Sequence, residues 1–100
     1  MKQNSVKWPK PEGKLAIYPS IEHGQVCEVN IIGNPDGLRY LASALLAVAE
    51  ADPQKCPIHD GAYVHLHLRP ECELIDHSSS VMISRADEKG TGKLMEIFGR

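Results

Sequence analysis

Residues 33–50 read GNPDGLRYLASALLAVAE, and this stretch decides the fold. Asn34 suits an N-cap, because its side-chain oxygen accepts a backbone N–H that the first turn of a helix leaves without a partner. Pro35 fits the first helical position, where its fixed φ helps and its missing N–H costs nothing. Asp36 sets a negative charge at the positive end of the helix dipole. A helix is therefore expected from Asn34 to the Asp52-Pro53 pair, where proline interrupts the hydrogen-bond ladder. At about 100° per residue, Leu38, Leu41, Leu45 and Val48 form one stripe. Tyr40, Ala42, Ala44, Ala49 and Ala51 flank it, and Arg39, Ser43 and Glu50 make a narrow polar strip opposite. The stripe is expected to face a sheet. The width of the apolar arc has two readings: alanines that favour helix and tolerate water, or a second contact such as a partner subunit.

Upstream, 14–18 is a short β-prone run closed by Pro19-Ser20, and 25–32 alternates, with Cys27, Val29 and Ile31 on one side and Glu28 and Asn30 on the other. These make a hairpin whose connection, from Pro19 to Gly24, is longer than a two-residue turn. Residues 1–13 are polar, contain Pro9 and Pro11, and form a flexible N-terminal arm, with Trp8 its one aromatic able to dock. Downstream, 62–68 alternates Val64, Leu66 and Leu68 with Tyr63, His65 and His67, and Pro70 stops it. Residues 80–86 alternate Val81 and Ile83 with Met82 and Ser84. Residues 94–98 are too short for periodicity to choose strand or helix. The reading is an α+β domain spanning 14–100, a two-layer ββαββ sandwich with one helix on a short, mostly antiparallel sheet. Strand order stays open.

The bulk properties set limits. One hundred residues suffice for one domain with one modest core. With 42% apolar and 24% charged residues, neither disorder nor a fibrous repeat is indicated. A net charge of -2 supplies no basic field, so nucleic acid is not an expected partner. No apolar run reaches the length of a membrane span, and the start lacks a secretory apolar segment, so a cytoplasmic location is expected. Three scattered cysteines, Cys27, Cys56 and Cys72, read as reduced thiols rather than a disulfide framework.

If the helix covers one sheet face, the other carries Tyr18, Glu28, Asn30, Tyr63, His65, His67, Met82 and Ser84. Tyr63, His65 and His67 are the candidate partner-binding residues, since aromatic and imidazole groups suit a protein interface. His65-x-His67 also puts two imidazoles on one side of a strand, as a metal site needs, but no motif supplies the third donor. Hence no metal and no cofactor are assigned. Cys56-x2-His59 and Cys72-x4-His77 cannot share an ion, because the intervening strand separates its ends by roughly 20 Å. Gly90-Thr91-Gly92-Lys93 lacks the Ser/Thr and first Gly of a phosphate-binding loop, and Ser78-Ser79-Ser80 beside His77 reads as a turn. No catalytic residue is assigned.

The segments GNPDGLRYLASALLAVAE, VHLHL and VMISRAD together resemble a small bacterial immunity-protein family associated with polymorphic toxin systems. The likeness spans roughly residues 33 to 87. Its Gly-Asn-x-x-Gly-Leu motif falls on Gly33, Asn34, Gly37 and Leu38, and its His-x-His-Leu motif on His65, His67 and Leu68. The resemblance implies a single-domain protein that neutralises a toxin by binding it, without catalysis or cofactor. It carries over no contact residues. The alternatives to set against it are a metal-binding domain or metal-dependent enzyme using His65 and His67, and a homodimeric structural or regulatory protein.

Overall fold

The computed structural model describes residues 7–98. Its elements run β1 (Leu15–Glu22), β2 (Gln25–Gly33), α1 (Pro35–Glu50), β3 (Tyr63–Leu68) and β4 (Val81–Glu88). Short 3-10 turns follow α1 at Pro53–Lys55 and close the described chain at Glu96–Phe98. The α+β class and the ββαββ order are as expected. The strands pair antiparallel as two separate hairpins, β1–β2 and β3–β4, and α1 lies against both. The segment 94–98, undecided by periodicity, divides: Leu94 bridges Asp87, and the 3-10 turn comes after it.

The Asn34 cap forms as its chemistry requires, and it does more. Its Oδ1 accepts the Gly37 N–H at 2.8 Å and the Lys14 N–H at 3.0 Å, while its own N–H donates to the Lys14 carbonyl at 3.1 Å. One side chain thus starts the helix and pins the root of β1 beside it. The approach is so close that a Cβ at Gly37 would overlap the Lys14 carbonyl oxygen, which explains the glycine one turn into a helix. At the other end, Arg85 of β4 supplies the cap. Its Nη1 donates to the carbonyls of Val48 at 3.3 Å, Ala49 at 3.4 Å and Ala51 at 2.8 Å, and its Nε to Asp87 Oδ1 at 2.6 Å. These are carbonyls that the last turn of a helix cannot satisfy itself, and a cation there also matches the dipole.

The helix is turned by about a quarter-turn from the expected stripe. Gly37, Tyr40, Ala44 and Val48 are buried, while Leu38 and Leu45 stay 45% and 47% exposed. The physical reason is the tight Gly37–Lys14 contact, which forces the glycine edge of the helix, not its leucine edge, against the sheet. Small residues at 37 and 44 let the helix sit close. The core is then Leu15, Ile17, Tyr40, Leu68 and Leu74 at one end and Val48, Ala51, Cys56 and Val64 at the other, with Leu66 and Ile83 packed on both. Trp8 docks on the second cluster, so part of the expected N-terminal arm is held; residues 1–6 of that arm lie outside the described residues.

The first hairpin is longer than expected. β1 continues through Pro19 to Glu22, and the turn is the two residues His23 and Gly24, at φ 53° and 78°. Two positive φ values are what a type I′ turn needs. Pro19 does not end the strand because backbone groups alternate in direction along it. Ile17 points its N–H and C=O away from β2, to Ser78 Oγ at 3.2 Å and the Ser79 N–H at 2.8 Å. Pro19, two residues on, points the same way, so the N–H it lacks is not one that β2 would use. The loop between β3 and β4 closes this edge only as far as Ile17: Ile75 N–H to Leu15 C=O at 2.9 Å is its other link. These three bonds, with the shared core, join the two hairpins into one layer.

Candidate functional site

The alternation of β3 holds. Val64 and Leu68 are buried, and Tyr63, His65 and His67 take the opposite face, away from α1. Antiparallel pairing sets Met82 beside His67 and Ser84 beside His65. The two imidazoles meet edge to face, their centroids 5.2 Å apart and their planes at 83°. His65 Nδ1 lies 2.9 Å from the Tyr63 carbonyl. A carbonyl only accepts, so Nδ1 is the donor of this hydrogen bond. Met82 stands exposed next to the pair.

Beside His65 the chain forms a shallow hollow of about 100 Å³ lined by Trp8, Cys56, Pro57, Ile58, Val64 and His65. Its walls are mainly apolar and its rim carries the imidazole. Such a hollow accommodates one small side chain of a partner, the anchor-and-socket arrangement of many protein interfaces. Sequence reasoning found His65 but not the hollow, because Trp8 and Cys56 are brought to β3 only by tertiary packing.

No group of three or more His, Cys, Asp or Glu side chains converges among the described residues, so neither the His65–His67 pair nor the Cys56/His59 and Cys72/His77 pairs gains a third donor there. Arg85 and Lys89 are engaged in the fold: Arg85 caps α1, and Lys89 Nζ donates to the carbonyls of Cys56, at 3.1 Å, and Ile58. Both cations are thus committed to backbone carbonyls of the domain itself. No helix among the described residues is long and apolar enough to cross a membrane.

A second surface lies on the helix side of the first hairpin. Cα partners share a sheet face, so the rungs Leu15–Gly33, Ile17–Ile31, Pro19–Val29 and Ile21–Val26 all point toward the side where α1 sits. Leu15 is 1% exposed, but Ile21, at the other end, is 62% exposed. α1 covers the root of this apolar face and leaves the rest open.

A two-layer domain of one helix and two hairpins, with an open imidazole-bearing face and an uncovered apolar one, is a small α+β protein. The comparison with protein families is specific: the model of the Immunity protein 32 family matches residues 28–86. The chain belongs to that family. The match runs from β2 into β4 and contains both motifs that carried the resemblance, Gly33 to Leu38 and His65 to Leu68. No curated protein and no solved structure gives a match.

Proposed function

We propose that this protein is an immunity protein that binds one cognate toxin in the cytoplasm and blocks it by occupancy, without catalysis or cofactor. The observation that carries this reading is the Immunity protein 32 match over residues 28–86. The toxin docks on the outer face of β3–β4, where His65 and His67 stand with Tyr63 and Met82 and where His65 borders the hollow next to Trp8. What supports this choice is that these side chains are spent neither on the core nor on a cap. Their polar tips and apolar bodies also suit a recognition surface.

The test is co-expression of the chain with the toxin encoded beside it, followed by growth measurement and titration calorimetry of the purified pair. Protection of growth and a stoichiometric complex are expected. A double His65→Ala, His67→Ala variant should weaken the complex by at least about tenfold, equivalent to 1.4 kcal/mol, without changing the melting temperature. Neither protection nor binding would overturn the immunity reading, whereas full binding by the double variant would overturn the placement of the surface.

A further inference from the structure

We infer that a second copy of this chain pairs along the outer edge of β2, joining two β1–β2 hairpins into a four-stranded antiparallel sheet about a twofold axis at Asn30. This stands apart from the immunity reading and uses a different face of the molecule.

The hairpin has two edges, and they are treated oppositely. On β1 the outward backbone groups of Leu15 and Ile17 are bonded by the 75–79 segment, and the next outward position is Pro19, which has no donor. That edge is closed as far as Ile17 and lacks a donor at Pro19. On β2 the residues facing β1 are Glu28, Asn30 and Ile32, so Val29 and Ile31 direct their N–H and C=O groups outward. No strand pairs with that edge among the described residues. The nine residues of β2 contain neither Lys nor Pro to keep edges apart, Glu28 is their one charge, and the strand's one bulge, at Cys27, lies outside the Glu28–Ile32 stretch that would pair.

The side chains complete the argument. Val29, Ile31, Val26 and Ile21 lie on the helix-side face, and Leu38 of α1 packs at the Gly33 end of the same face, with Leu45 two turns further along the helix. Together their exposed area is on the order of 600 Å², at the top of the range for apolar patches on monomers. Pairing at the β2 edge sets Val29 and Ile31 of the two copies side by side and so shields the part of this patch nearest the seam.

A second copy fits because an antiparallel strand is its own complement. With the axis at Asn30, Val29 lies opposite Ile31 of the second copy, and their outward groups exchange both hydrogen bonds. Glu28 falls opposite Ile32 of the second copy, so the two carboxylates never face each other. The apolar helix-side faces become continuous, and the contact is isologous and closed.

Sedimentation equilibrium of the full chain over a concentration series should give twice the 11.0 kDa chain mass at the upper end. Val29→Lys, on a side chain that the monomer leaves open, should raise the dimer dissociation constant at least about tenfold while dilute-sample melting is unchanged. Asn30→Cys, in a chain also carrying Cys27→Ser and Cys72→Ser, should oxidise to a cross-linked pair. Opposed residues of this kind have Cα atoms about 4.5 Å apart, within disulfide reach. A monomer throughout the series, a dimer indifferent to Val29→Lys, or a dimer that the Asn30→Cys substitution fails to cross-link would each overturn the proposal.

Discussion

The two hairpins of this protein have similar apolar alternation and meet opposite fates. In β3–β4 the inward residues end fully packed, with Leu68 at 0% exposure, and the outward face carries the histidines. In β1–β2 the inward face begins packed and ends bare, with Val29 at 63%. The difference lies in the cover. α1 starts directly after β2 and is pinned at its root by Asn34, so it runs from the base of the first hairpin across to β4, where Arg85 holds its other end. A molecule measuring 43 × 36 × 18 Å is the result, thin in one direction because a single helix forms the second layer. Its radius of gyration of 15.4 Å exceeds the ~13 Å of a compact chain this long, in keeping with a hairpin that projects beyond its cover. Alternation therefore says which side a residue takes, and only the placement of the neighbouring element says whether that side is dry.

The contrast is sharpest under one substitution made in both hairpins. Val64→Thr puts a hydroxyl into a site that is 1% exposed, with apolar neighbours Val48, Ala51 and Cys56, and should cost about 2 kcal/mol in urea unfolding. Val29→Thr keeps the branched shape on an open surface and should stay within about 0.5 kcal/mol. Equal costs would mean that the first hairpin is covered in solution, which is itself what dimerisation predicts at high protein concentration.

A smaller effect separates the roots of the two hairpins. Asn34→Ala removes the acceptor of both the Gly37 and Lys14 N–H groups at an exposed position and should cost about 1 kcal/mol. Because the tether reaches β1 alone, hydrogen exchange should quicken at Leu15 to Ile17 and leave the amides of β3 unchanged.

The smallest effect concerns Tyr40, which stands where the hairpins meet, against Leu15, Ile17, Leu68 and Leu74. Burial, with a contribution from the charge of Glu73, pushes its phenol above the ordinary tyrosine range. The unfolded chain then ionises first, so the stability owed to the neutral phenol is intact below pH about 10 and is lost as pH rises through the folded value. Tyr40→Phe should flatten that alkaline decline in a melting series, and an unchanged decline would show that another group causes it.

Much of this architecture is legible along the chain because it rests on local chemistry. The Asn34-Pro35-Asp36 cap, the alternation of Val64, Leu66 and Leu68 against His65 and His67, and the ββαββ order depend on residues within a turn or a strand of one another. The length of β1 was not legible, since Pro19 reads as a stop until the closed edge it faces is known. The burial of the glycine edge of α1 was equally hidden. Periodicity ranks the leucine stripe first, but the Gly37–Lys14 contact joins residues 23 positions apart, and it sets the rotation.

For the candidate surfaces the division is the same. Strand alternation alone puts Tyr63, His65 and His67 on one face, because successive side chains take opposite sides whatever surrounds them. The family resemblance, too, rests on motifs that are local. Three outcomes came from packing between distant segments: Trp8 and Cys56 complete a hollow beside His65, Arg85 is a helix cap and not a free cation, and Val29 and Ile31 lie uncovered. Each depends on which remote stretch of chain arrives to fill, bond or leave open a given face, and that is settled by how one helix spans two hairpins.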